Sequence, residues 1–150
     1  MIRTLHLKID SRSECIELVS NAVRGLCRLT RLTTPDLAGI ELALVEAINN
    51  AIEHAYHGEP GHPVMVTIDL AQDRLSVRIH DRGTPMDPRQ LDQISELAEP
   101  DPADPNTWSH RGRGLILIKS CMETVEYRTD QGLNTLIMSR PIHGGSPKPA

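Results

Sequence analysis

Val64-Met-Val-Thr-Ile-Asp-Leu70 and Leu75-Ser-Val-Arg-Ile-His80 alternate apolar and polar residues on either side of Gln72-Asp73. A period of two sends successive side chains to opposite faces of an extended chain, so two such runs around a short turn form a β-hairpin. Upstream, a helical pattern starts at Thr34-Pro35-Asp36, with proline in its first turn. It runs through Leu37, Ile40, Leu44, Val45, Ile48 and Ile52 to about Tyr56, where Gly58, Pro60, Gly61 and Pro63 break it. Before that helix, residues 11–29 read as another, with Ile16, Val19, Val23 and Leu26 apolar. Asp10 or Ser11 is its expected cap, with Glu14 at capping-box spacing from Ser11. Residues 3–9 alternate as a half-buried strand.

Downstream, residues 82–113 hold five prolines and no sustained pattern except a helical one over Arg89–Leu97. A segment of this kind inside a compact domain points to function or mobility. Gly114–Met122 is a short apolar helix, and Val125–Arg128 with Thr135–Arg140 form a closing hairpin around Asp130-Gln-Gly132. The order β-α-α-β-β-loop-α-β-β, with strands joined mainly by hairpins, predicts an α+β fold. It is a two-layer α/β sandwich, a mostly antiparallel mixed sheet covered by helices on one face. One domain over residues 1–142 is expected, followed by a flexible Gly/Ser/Pro-rich tail over 143–150.

The composition narrows the function. At 150 residues and 39% hydrophobic content the chain can bury a core, which must rest on aliphatic residues because there is no Phe, one Trp and two Tyr. The same scarcity removes an aromatic platform for single-stranded nucleic acid, and a net charge of −4 argues against general nucleic-acid affinity. Cys15, Cys27 and Cys121 are too few and too scattered for a disulfide framework, which suits a reducing cytoplasm. No signal peptide or membrane span is evident, so a cytoplasmic protein without a membrane partner is expected.

Three segments carry the chemistry. Glu46 and Asn50 lie four residues apart, hence on one face of the second helix, with His54 one turn further. A carboxylate there can deprotonate a nucleophile, and an amide oxygen suits Mg²⁺. His80-Asp-Arg-Gly83-Thr-Pro85 leaves a strand into a turn: Asp81 can accept a hydrogen bond from an exocyclic amine, and Gly83 permits close approach to a flat ring. Arg111-Gly-Arg-Gly114-Leu115 opens an apolar helix whose N-terminal amides can hold phosphate, with Arg111 and Arg113 adding charge. It has neither the Lys and spacing of a P-loop nor the preceding strand of a dinucleotide fingerprint. Each segment also has an ordinary explanation, as a solvated helix face, an Asp-x-Gly turn or a Gly-x-Gly turn. Glu53, His54 and His57 lack zinc-finger spacing. Trp108 reads as cover for the core, with contact to a nucleotide or partner as the alternative.

Together these residues resemble the Bergerat-type ATP site of the GHKL superfamily. Glu46-Ala-Ile-Asn-Asn50 resembles its N box, Asp81-Arg-Gly83-Thr-Pro85-Met-Asp87-Pro88 its first glycine box, and Gly112-Arg-Gly114-Leu115 its second. The chain resembles the small anti-sigma factor serine kinases of bacterial partner-switching systems, the RsbW/SpoIIAB-like group, over about residues 5–140. The resemblance implies that Glu46 is the general base and that Asn50 ligates Mg²⁺ on the ATP phosphates. Asp81 would bind the adenine amine, with Gly83 and Pro85 forming the turn beneath the ring. Arg111, Gly112, Arg113, Gly114 and Leu115 would form the phosphate end, beside a lid over about residues 89–113. Thr135 would match a late-strand threonine near the adenine, although Gly132-Leu-Asn-Thr135 stands here for the usual Gly-Thr pair. The implied partners are a STAS-domain anti-sigma factor antagonist, a sigma factor and a second copy of the chain, with residues 11–29 contributing to those contacts. The alternatives are a non-catalytic nucleotide-binding module that sequesters its partner, and a stand-alone ATPase.

Overall fold

The computed structural model describes residues 1–93 and 113–142. Five strands, β1 (Arg3–Asp10), β2 (Pro63–Leu70), β3 (Arg74–Asp81), β4 (Thr124–Asp130) and β5 (Leu133–Pro141), form one sheet in the order β1-β2-β3-β5-β4. The expected mostly antiparallel sheet is antiparallel at all four pairings. Among the described residues, four α-helices accompany it: α1 (Ile16–Cys27), α2 (Thr34–Asn50), the short α3 (Arg89–Gln93) and α4 (Arg113–Cys121). The remainder of the expected 89–97 helix, Trp108 and the 143–150 tail lie outside the described residues.

The register explains the layering. Leu7 pairs with Val66, Val66 with Ile79, Ile79 with Leu136 and Leu136 with Tyr127, so one apolar row crosses all five strands. That row packs into one buried cluster with Val19 and Val23 of α1, Leu44 and Ile48 of α2 and Ile118 of α4. Side chains of the other parity are mostly polar, among them Thr4, His6, Arg78, His80 and Arg128, with Met65, Leu133 and Ile137 as apolar members of that face. Gln131 and Gly132 both have positive φ (49° and 78°) between the paired Asp130 and Leu133, which is the two-residue turn that suits a twisted hairpin.

Two local expectations change. Ser11 does not cap α1. It is buried, its hydroxyl donates to the Glu59 carbonyl (2.6 Å) and accepts from the His62 amide (3.0 Å), and it fastens the end of β1 to the entry of β2. A 3-10 turn over Ser13–Cys15 leads into α1 instead. The capping box belongs to α2, where the Thr33 hydroxyl accepts from the Asp36 amide and the Asp36 carboxylate accepts from the Thr33 amide. Asp36 also pairs with Arg140 at 2.7 Å, tying the start of α2 to β5.

The second helix is not regular to Tyr56. It widens into a π turn over Ala51–Ala55, immediately after Asn50. Such widenings recur at functional sites. Here the turn ends with the Ala55 carbonyl accepting from the Thr84 amide (2.9 Å), so the helix end is joined to the loop that follows β3.

Candidate functional site

The loop after β3 is pinned from both sides by the two tyrosines of the chain. The Tyr56 hydroxyl accepts from the Arg82 amide (2.8 Å) and donates to the Pro63 carbonyl (2.7 Å). The Tyr127 hydroxyl on β4 accepts from the Met86 amide (2.8 Å). A Cβ on Gly83 would run into the backbone carbonyl of Ala55. The close approach that glycine permits here is therefore to the end of the π turn, and substitution would push the loop off the helix. These contacts hold the Asp81 segment at a set distance from the Glu46–Asn50 face.

Between them lies a cavity of about 760 Å³, within the ~300–1,000 Å³ common for ligand pockets. Glu46, Asn50, Asp81, Pro85, Gly114 and Leu115 all line it, so all three sequence segments reach one space. Ala51, Ile79, Met86 and Leu136 add an apolar surface. Arg113 begins α4 and is exposed. Arg111 and Gly112 lie outside the described residues.

The two ends of the cavity differ chemically. At the sheet end, Asp81 is only 8% exposed and continues the inward parity of Leu75, Val77 and Ile79. Its Oδ1 accepts from the Gly83 amide (3.0 Å) and from Asn134 Nδ2 (2.7 Å). Burial raises its pKa above the usual carboxylate range, while the Asn134 and Gly83 donors pull it back down. At the helix end, Glu46 and Asn50 are half-buried, and neither side chain has a hydrogen-bond partner among the described residues. A Cβ on Gly114 would lie 2.8 Å from Glu46 Oε2 and 3.4 Å from Asn50 Oδ1. Glycine thus lets the first turn of α4 sit directly against these two groups.

Thr135 is not brought to the cavity. It pairs with His80 on the opposite face of the sheet, where its hydroxyl meets His80 Nδ1 at 3.0 Å. The residue opposite Asp81 in the register is Asn134, 1% exposed. A single-residue offset along a strand reverses the face, which is why the late-strand threonine of the resemblance lands on the wrong side. Asn134 shares the buried parity of Leu136 and Met138, but Leu136-Ile137-Met138 is apolar on both parities, so alternation alone does not choose between Asn134 and Thr135. The anchoring roles of Tyr56 and Tyr127 have no comparable signature in the sequence.

The charge of the cavity bears on what it can hold. Glu46, Glu53, Asp81 and Asp87 line it, and no Lys or Arg does among the described residues. A polyphosphate entering beside Glu46 and Glu53 needs a bridging cation and backbone donors. An amide oxygen next to a carboxylate is a hard oxygen donor set, which fits Mg²⁺ that keeps waters and phosphates as its other ligands.

The Histidine kinase-like ATPase domain family matches residues 9–140. Among curated proteins, the chain is similar to a serine-protein kinase RsbW of Bacillus velezensis, 28% identical over 93% of this chain and 86% of that protein. It is 29% identical to the RsbW of Halalkalibacterium halodurans over 87% and 78% of the two chains. It is 27% identical to that of Listeria monocytogenes over 91% and 86%. A crystal structure of the RsbU and RsbW domains of a Mycobacterium tuberculosis protein has the same fold. The TM-score is 0.62 at 19% identity, covering 96% of this chain and about a third (35%) of that longer one.

Proposed function

The chain belongs to the histidine kinase-like ATPase family, and on that premise we propose that it is an ATP- and Mg²⁺-dependent protein serine kinase acting as an anti-sigma factor. The observation that carries this reading is the convergence of Glu46, Asn50, Asp81 and Gly114 on one cavity. It is supported by the similarity to serine-protein kinases over more than three-quarters of each chain.

In this reading Asp81 accepts the exocyclic amine of adenine, and the Ile79–Leu136 surface covers the ring. The first turn of α4, with Gly114 and Leu115, faces the phosphates, and Arg111, Gly112 and Arg113 add donors and charge. Asn50 holds Mg²⁺, which neutralises charge on the transferring phosphoryl group when bound. The Glu46 carboxylate takes the proton of an acceptor serine hydroxyl as that oxygen bonds to the γ-phosphorus and the bridge to the β-phosphate breaks. Phosphoryl transfer asks mainly for positioning and charge stabilisation, which these groups can supply. A Glu46 without a side-chain hydrogen-bond partner among the described residues also favours a working site over a module that has lost its chemistry.

The acceptor is a serine of a STAS-domain anti-sigma factor antagonist. Its phosphorylation adds roughly −1.5 to −2 charge. Facing an acidic cavity, that charge weakens the complex and frees the kinase for its sigma factor. The protein acts in the cytoplasm as a homodimer. Among the described residues no helix is long and apolar enough to cross a membrane.

The test is transfer of γ-labelled phosphate from ATP to a purified cognate antagonist. Labelling at serine by the native chain, abolished in Glu46→Ala, is expected. No labelling by the native chain, or undiminished labelling by Glu46→Ala, contradicts the kinase. Steady ATP hydrolysis without an acceptor would point to a stand-alone ATPase instead.

A further inference from the structure

Asn134 is almost completely buried (1% exposed) and sits at the end of the inward row of β5, directly opposite Asp81. A buried amide is retained at a stability cost unless its hydrogen bonds are satisfied. Here Nδ2 donates to Asp81 Oδ1 (2.7 Å) and to the Gly83 carbonyl (3.0 Å), while Oδ1 accepts from the Thr129 hydroxyl (3.0 Å). The orientation of the amide follows from this surround. Two acceptors on one side demand the NH₂, and the Thr129 hydroxyl supplies a donor to the oxygen.

The consequence falls on Asp81. Both of its hydrogen bonds go to Oδ1, one from Asn134 and one from the Gly83 amide. Oδ2 has no partner among the described residues, and it is not one of their buried orphan atoms, which are Arg78 Nε and Arg140 Nε. Since Asp81 lines the cavity, Oδ2 is the oxygen offered to a ligand.

We propose that Asn134 is the positioning residue for purine selectivity: by occupying Oδ1 of Asp81 and the Gly83 carbonyl, it commits Oδ2 to a 6-amino group and against a 6-oxo group. An ionised carboxylate oxygen can only accept, so it pairs with the amine of adenine and repels the carbonyl oxygen of guanine. Without the Asn134 amide, only the Gly83 backbone amide holds the carboxyl, and its orientation is less fixed. Burial then favours its protonated form, which can donate to a 6-oxo group. The inference rests on the reading of Asp81 as the base-binding carboxylate given above.

The experiment measures the affinities of Mg-ATP, Mg-GTP and Mg-purine riboside triphosphate, which lacks the 6-amino group, by titration calorimetry. The proteins are the native chain, Asn134→Leu and Thr129→Val, with circular dichroism to confirm folding. Thr129 is exposed, and valine removes only the hydroxyl that orients the amide, so this variant keeps the test alive if Asn134→Leu does not fold. In the native chain, the 6-amino group is expected to contribute about tenfold in affinity, as a hydrogen bond to a charged group does. That ratio falls to about twofold or less in Asn134→Leu and partway in Thr129→Val, with the preference over GTP shrinking alongside. A purely structural role would weaken binding of ATP and its 6-deamino analogue equally. An unchanged ratio in folded variants therefore overturns the proposal while leaving the Asp81 reading in place. A native chain that binds both analogues equally overturns the Asp81 reading itself, and the proposal with it.

Discussion

The two ends of the cavity are built on opposite plans. At the sheet end, Asp81 and Asn134 are buried, and they are hydrogen-bonded to each other and to the Gly83 turn before any ligand arrives. At the helix end, Glu46 and Asn50 stand half-buried without partners among the described residues, separated from α4 only by the missing side chain of Gly114. A preformed end suits recognition of a flat, rigid base, because little has to be ordered on binding. An end of unpaired oxygens suits a cation and a reacting group, whose arrival supplies the missing partners. The comparison predicts that damage at one end changes binding and damage at the other changes transfer.

The largest separation is expected from Glu46→Gln. Removing a general base costs about 10²–10⁴ in rate, so single-turnover label transfer should fall by at least ~100-fold while the affinity for ATP stays within about threefold. Equal losses in both quantities would break the comparison at its centre.

Gly114→Val sharpens it from the other side of the same contact. The added Cβ would stand 2.8 Å from Glu46 Oε2, the far end of a flexible side chain, so the fold survives and Glu46 gives way. Displacing a reacting group by around an ångström can cost ~100-fold. We expect a fall of roughly 10–100-fold in transfer and a much smaller change in the affinity for adenosine, which lacks phosphates.

Asp81→Asn should weaken ATP binding by roughly 10–100-fold through loss of the charged acceptor. Its stability effect has the opposite sign. The folded-state pKa of Asp81 lies above its unfolded value, so the group favours the fold most at pH below about 4 and less as pH rises through the folded-state value. The Tm of Asp81→Asn should therefore equal or exceed that of the native chain at pH 7, with any gain disappearing as pH falls toward 4. A large drop in Tm at pH 7 would mean that the carboxylate is a structural anchor.

Gly83→Ala should show the smallest functional selectivity and a general loss of stability. The new Cβ meets backbone, which cannot swing aside, and the Thr84–Ala55 hydrogen bond is strained with it. About 1–3 kcal/mol is expected, read as a fall of roughly 3–10 °C in Tm.

The two ends were unequally legible in the sequence. Helix periodicity alone puts Glu46 and Asn50 on one face, because spacing of four is local information. The hairpins followed from alternation around Gln72-Asp73 and Asp130-Gln-Gly132, and in the second the glycine stands where φ is positive. What failed was long-range. Choosing between Asn134 and Thr135 needs the register of β5 against β3, and one residue of slip exchanges the faces. The π turn at Ala51–Ala55 depends on what its carbonyls meet across the fold, so the periodic pattern to Tyr56 read as uninterrupted α-helix. Ser11 has the spacing of a cap, yet a strand entry 51 residues away claims its hydroxyl. Of the proposed phosphate end, Arg111 and Gly112 remain sequence expectations.

The most direct test of separate ends is a crossed measurement on Glu46→Gln and Asp81→Asn: dissociation constants for Mg-ATP, and single-turnover phosphoryl transfer to the antagonist at saturating ATP. The account predicts that Glu46→Gln binds like the native chain and fails to transfer. Asp81→Asn should bind weakly, yet transfer within about threefold of the native rate once saturated. Two variants that lose binding and transfer in the same proportion would contradict it.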